Sequence, residues 1–334
     1  MSRTRKRARR NRQGLLWVRD MLDETGTEYP TGCKDEDLKM EIGIAYPKII
    51  PATRGERVME WAIRVDEGPF SSLAMIDRLV YSTHESMIVL AAAAAVTERV
   101  RLMPTVLVAT LRPAALIAKQ AASIDSISGG RLVLGMGVGS RSDDFAAVGV
   151  SMRTRGKLFD EQVSTIRKLW AGERMSDEIG PIGPRPARST GPEILIGGRS
   201  QAALARAGRL GDGYIAGSAG SGTMNEVNEV AGYYAVVENA WKDAGKPGKP
   251  RFVAALTCAV GAYAAERTRE SMRSYYAFRG EAAAKMDLPI PHTRQDILDA
   301  IDTFESVGVD ELILEPGVAD LDQIDQLAEI IESR

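Results

Sequence analysis

The chain is poor in cysteine and histidine, with two of each in 334 residues. Cys33 and Cys258 stand far apart, which excludes a disulfide framework and any CxxC metal spacing. Two histidines, His84 and His292, are too few to expect a histidine-based metal site. This cysteine usage fits a reducing cytoplasm. No stretch of 18 uninterrupted apolar residues occurs, and the run Met87–Val96 is too short to span a bilayer. The N-terminus is basic but lacks the apolar segment and small-residue cleavage site of a secretory signal.

What is present is ordinary globular material, 44% hydrophobic and 26% charged, enough for one large core. The length allows two domains, yet α/β barrels run to about 250 residues as one. Net charge is -2 and unevenly spread. Residues 1–12 hold Arg3, Arg5, Lys6, Arg7, Arg9, Arg10 and Arg12 and no acid, leaving about -9 for the remainder. An acidic body gives no sign of nucleic-acid binding. Residues 1–39 are polar and without clean periodicity. They read as a disordered arm or an over-called start; the sharper alternative is a basic arm touching nucleic acid or anionic lipid. Residues 40–334 form the expected folded domain.

From Met40 onward, short apolar runs alternate with helical patterns. The runs are Glu41–Ala45, Ser72–Ile76, Val100–Leu107, Arg131–Met136, Glu193–Ile196, Gly213–Ala216, Phe252–Val260 and Glu311–Leu314. Most are continuous, as strands buried on both faces of a parallel sheet must be. Between them, Val58, Trp61, Ala62 and Val65 recur at helical spacing, as do Phe159, Val163, Ile166 and Trp170. Pro113 suits the first residue of a helix ended by Ser128-Gly129-Gly130. Thr293 to Asp296 looks like a capping box. Eight strand–helix units predict a single-domain α/β fold, a (β/α)8 TIM barrel, with an open doubly wound sheet as the rival.

In a barrel, chemistry collects in the loops after the strands. After the fourth run come Gly135, Gly137, Val138, Gly139 and Ser140. Glycines there let a ring or phosphate lie against backbone, or simply let strand and helix pack closely. The third glycine of a dinucleotide fingerprint is missing. After the fifth run, Gly197, Gly198, Arg199, Ser200 and Gln201 precede a helix. That makes an anion site of backbone amides with a cationic side chain, or a plain N-cap with a surface arginine. Arg112, after the third run, faces either the mouth or solvent. Seven small residues, Gly217–Thr223, suit a mobile lid or an ordinary connector. A phosphate-handling isomerase or aldolase would want a lysine or paired carboxylates at strand ends. No lysine falls at the ends of the expected strands, and Asp77 and Glu315 are far apart in sequence.

Several of these segments, in this order, resemble the luciferase-like monooxygenases. They are Ser72–Asp77, Glu98–Leu102, Ser123–Gly139, Asp144-Phe145, Glu193–Ser200, Ala207–Tyr214 and Gly308–Leu312. The resemblance covers Met40 to Ile331 and implies a TIM barrel carrying FMN, or the 8-hydroxy-5-deazaflavin coenzyme, at its C-terminal mouth. It implies a phosphate near Gly197, Gly198, Arg199, Ser200 and Gln201, a ring near Gly137, Val138 and Gly139, and a non-prolyl cis peptide between Thr105 and Val108. With FMN, such an enzyme oxygenates a small organic substrate with O2, its reduced flavin supplied by a partner reductase; with deazaflavin it passes a hydride and activates no oxygen. A non-catalytic flavin-binding subunit is the alternative of another class. Homodimers are common among relatives, and neither a metal nor a membrane is expected. Where relatives often have Asp-His after the second strand, this chain has Asp77-Arg78. Arg78 cannot donate a proton at neutral pH but could stabilise an anionic ring. His84, in the same loop, is the other catalytic candidate; His292 precedes a helix cap and reads as structural.

Overall fold

Each apolar run forms a strand because it can bury both faces: one against helices, one against the other strands. The computed structural model describes residues 39–48, 54–217, 222–277, 280–281 and 289–334. The expectation for the basic arm falls outside these residues, as does the middle, 218–221, of the lid expected at Gly217–Thr223. The strands are β1 (Glu41–Ala45), β2 (Ser72–Met75), β3 (Arg101–Pro104), β4 (Leu107–Val108), β5 (Val133–Gly137), β6 (Glu193–Gly197), β7 (Gly213–Ile215), β8 (Arg251–Cys258) and β9 (Glu311–Pro316).

All neighbours pair in parallel, in the order β3-β2-β1-β9-β8-β7-β6-β5-β4. The two ends of that order, β3 and β4, are successive pieces of one extended run. A further parallel bridge joins Leu102 to Leu132. The sheet therefore meets itself, and the doubly wound alternative is excluded. The run read as one strand, Val100–Leu107, is two, β3 and β4, and the bond from Thr105 to Val106 between them is cis, inside the predicted window.

Strand side chains alternate between two environments, as the pleat requires. Ala45, Ala74, Met103, Val133, Leu195, Ile215, Val253, Ala255 and Ile313 fill the barrel interior. Ile44, Leu73, Leu102, Leu134, Ile194, Phe252 and Leu312 belong to the larger cluster under the helices. The N-terminal floor is charged. Arg101 pairs with Glu41 and Glu311, and Arg251 with Glu193 and Glu311. Burial alone would push the Glu311 carboxyl up, but Arg101 and Arg251 hold it below its ordinary value.

Among the described residues the helices are α1 (Gly55–Glu67), α2 (Ser86–Val96), α3 (Ala114–Ser128), α4 (Ser142–Val148), α5 (Arg155–Trp170), α6 (Gln201–Leu210), α7 (Met224–Asp243), α8 (Ala262–Tyr275), α9 (Arg294–Ser306) and α10 (Asp322–Glu332). Val58, Trp61, Ala62 and Val65 form the buried stripe of α1. Pro113 is the N-cap of α3 rather than its first residue, and Gly129 ends it at φ 69° in the left-handed region. The capping box of Thr293 and Asp296 is present on α9. No described helix is long and apolar enough to cross a membrane.

Candidate active site at the barrel mouth

The C-terminal ends of β3 to β6 carry the glycine-rich loops, and their pairing makes those loops neighbours. The glycines of the β5 loop make room for side chains of β4 and the link before it. A Cβ on Gly137 would lie 2.7 Å from Val106, and one on Gly139, at φ 74°, 2.5 Å from Val108. On the side-chain face, then, close packing uses the space. Val138 accepts a hydrogen bond on its carbonyl from the Thr110 hydroxyl, 2.9 Å away. Thr105 Oγ1 is buried with no hydrogen-bond partner among the described residues.

Gly197 and Gly198 lead from β6 into α6. Gly198 has φ 151°, and a Cβ there would lie 2.5 Å from that of Ala203. The first four amides of a helix have no intrahelical partner. Ser200 is the N-cap, and its side chain accepts from the Ala203 amide at 3.3 Å. Arg199, Ser200, Gln201 and Ala202 are exposed around this turn. Arg199 leans toward the end of β7, its Nη2 4.0 Å from where a Gly217 Cβ would stand. A helix N-terminus with glycine backbone and an adjacent guanidinium can hold a phosphate.

The loop after β2 is tied down by carboxylates. Asp77 accepts from the Val108 amide at 2.9 Å, from Ser86 at 2.9 Å, and from Arg112 through both oxygens at 2.7 and 2.9 Å. Arg112 also pairs with Glu85 at 2.8 Å, and its side chain is 13% exposed. Of its two expected orientations, neither solvent nor an open mouth describes it: Arg112 is a clamp between loops. Asp144 is buried and accepts from the Val80 amide at 2.6 Å. Arg78 is 7% exposed, 3.3 Å from Asp143, with its guanidinium carbon 4.5 Å from the Tyr81 ring centroid. His84 is exposed beside a hollow of about 10 Å³ lined by Tyr46, Pro47, Met75, Ile76 and Thr83. That volume admits about one water. His292 holds the Ile290 carbonyl at 3.0 Å with Nδ1, at the base of the α9 cap, a structural position.

Two groups of residues escaped the sequence reading. Lys48, three residues beyond β1, is buried in an ion pair with Glu315 near the end of β9, so a lysine does stand at a strand end. Thr257 of β8 donates to the same Glu315 at 3.3 Å. Burial alone would lower the Lys48 ammonium's pKa, but Glu315 beside it holds it above its ordinary value. Cys258, fully buried, is pushed up to about 12 by that burial. The second group is aromatic. Tyr275, ending α8, meets Tyr81 edge-on at 5.3 Å and the Arg78 guanidinium at 5.4 Å, so the helix after β8 reaches the loop after β2. The only signal for either group was residue type beyond a strand or helix end, which many surface residues share. Among the described residues no cluster of His, Cys, Asp and Glu could hold a metal.

The chain matches an uncharacterized protein of Mycobacterium tuberculosis at 35% identity over 167 residues, 48% of this chain and 56% of that one. It matches the FMNH2-dependent dimethylsulfone monooxygenase of Pseudomonas putida at 28% over 158 residues, 44% and 43% of the two chains. It thus spans about half the length of the curated relatives it matches. A solved F420-dependent secondary alcohol dehydrogenase superposes with TM-score 0.72 at 18% identity, covering 88% of this chain and 99% of that one, a likeness of fold. Residues 40–333 match the sequence model of the luciferase-like monooxygenases, and the chain belongs to that family.

Proposed function

We propose that this chain is a flavin-dependent monooxygenase that uses reduced FMN and O2 to oxygenate a small organic substrate at the barrel mouth. The observation that carries the reading is the turn from Gly197 to Gln201. Its backbone is free of side chains at two positions, it opens α6, and Arg199 stands beside it. The buried hydroxyl of Thr105 two strands away, without a hydrogen-bond partner among the described residues, fits a polar ring edge. FMN, when bound and reduced, supplies the electrons and the centre at which O2 reacts.

The chain's own residues do the rest. Amides of Gln201 and Ala202, with Arg199, hold the phosphate. Gly137, Val138, Gly139 and Thr105 border the ring. Tyr275 with Arg78 and Tyr81 shields the mouth from bulk water. His84 at the rim can take or give a proton through a single water. The named cofactor of the Pseudomonas putida relative supports FMN. The deazaflavin alternative is supported by likeness of fold to an F420 enzyme, but Arg78 stands where a histidine would serve as that reaction's acid or base. Supply of reduced flavin by a separate reductase is supported by the FMNH2-dependent name of the Pseudomonas putida relative.

The test is an absorbance titration of the full chain with FMN and with 8-hydroxy-5-deazaflavin, followed by O2 consumption with reduced FMN. FMN binding about tenfold tighter, a gap of about 1.4 kcal/mol, is expected. Binding of neither would overturn the proposal, and preference for the deazaflavin would move it to hydride transfer.

A further inference from the structure

Arg78 is a buried cation whose hydrogen-bonding is incomplete. Its side chain is 7% exposed, yet its Nε finds no acceptor among the described residues. Its Nη2 reaches Asp143 Oδ2 at 3.3 Å, at the long limit of a hydrogen bond. The same oxygen is shared with Arg141 Nη2 at 3.4 Å, and Asp143's other oxygen takes the Asp144 amide at 3.0 Å. The nearby Asp144 gives one of its oxygens to the Val80 amide. One half-exposed carboxylate thus spans two guanidiniums at long range. A guanidinium prefers two short parallel bonds to one oxyanion.

The surroundings are aromatic and cationic. Tyr81 lies against one side of Arg78, and the Tyr275 ring lies 5.4 Å from Arg78 and 6.0 Å from Arg141. Lys48 also acts on Tyr275 electrostatically. Two guanidiniums from the loops after β2 and β5 therefore converge on one aromatic residue, at the end of the barrel where the strands terminate. Aromatic rings packed beside cationic donors suit a flat organic anion.

We propose that Arg78 and Arg141 form an oxyanion subsite for the substrate, which is therefore a small organic acid, an aromatic or unsaturated carboxylate or sulfonate. This inference rests on the FMN reading, because it takes the Gly197–Gln201 turn to be filled by the cofactor's phosphate. The anion replaces the long contacts to Asp143 with short ones and holds the organic body against Tyr81 and Tyr275.

The test uses the full chain loaded with FMN, titrated calorimetrically with benzoate and with its uncharged counterpart benzamide. Benzoate should bind about tenfold tighter or more, a preference that Arg78→Gln erases and Arg78→Lys partly restores. Arg141→Gln should erase it too, and serves alone if Arg78→Gln fails to fold. Equal binding of the two probes, or binding of neither while FMN binds, overturns the inference and leaves the cofactor reading standing. Arg78→Gln weakening FMN but not riboflavin also overturns it, by assigning the anion to the cofactor's phosphate. A wild-type chain that does not bind FMN defeats the functional reading, and the inference falls with it.

Discussion

Lys48 and Glu315 form an ion pair inside the barrel mouth, with side chains 8% and 5% exposed. They come from opposite ends of the chain, and the parallel pairing of β1 with β9 brings their strands side by side. Two buried charges gain from each other what they lose in hydration only while both are present.

Lys48→Met should therefore destabilise the chain by about 3–5 kcal/mol, because Glu315 is left buried and uncompensated. Urea unfolding checks the size. Replacing both, as Lys48→Met with Glu315→Leu, should recover most of the loss; no recovery would mean that the pair is not what the single variant removed. The pH sign follows from the raised folded-state value of Lys48. Its contribution is full below the ordinary lysine value of about 10.4 and is lost only as pH rises through the higher folded value. Stability near neutral pH should thus be insensitive to this group.

Glu311 has the opposite dependence. It is fully buried between Arg101 and Arg251, which hold its carboxyl down in the folded state. A depressed carboxylate contributes stability above the ordinary value of about 4.3, and the contribution fades as pH falls through the folded value. Acid should unfold the barrel from its floor. Glu311→Gln should cost about 3 kcal/mol at pH 7 and flatten the loss of stability below about pH 4. An acid unfolding curve of unchanged slope would show that other carboxylates govern it.

The strands and their burial were legible because continuous apolar runs such as Glu193–Ile196 and Glu311–Leu314 admit few other readings. The capping box at Thr293 was legible because it is local: donor and acceptor are three residues apart. The break in the third strand was not legible, since Val100–Leu107 reads as one run; only the cis bond within it was expected, from the family resemblance, between Thr105 and Val108. Lys48 was missed because its meaning lies in Glu315, 267 positions away. The same holds for Arg78 and Tyr275, whose contact depends on how far α8 extends across the mouth. Long-range pairing of polar groups obeys no period.

The turn proposed to hold the phosphate can be tested by two changes that act through different physics. Gly198→Val places a side chain where the Cβ alone would sit 2.5 Å from Ala203, so either the turn or the first turn of α6 must move. Amides that no longer converge cannot grip an anion, and FMN affinity should fall at least about tenfold. Arg199→Ala leaves the backbone in place and removes one charge. It should weaken FMN by about threefold to thirtyfold, the range of a charge-assisted bond at a partly exposed site, and leave riboflavin unaffected. The ratio of the two affinities is the informative quantity, because any general loosening of the mouth would weaken both flavins alike. Equal losses would remove Arg199 from the phosphate, and an unaltered FMN affinity in Gly198→Val would remove the turn itself.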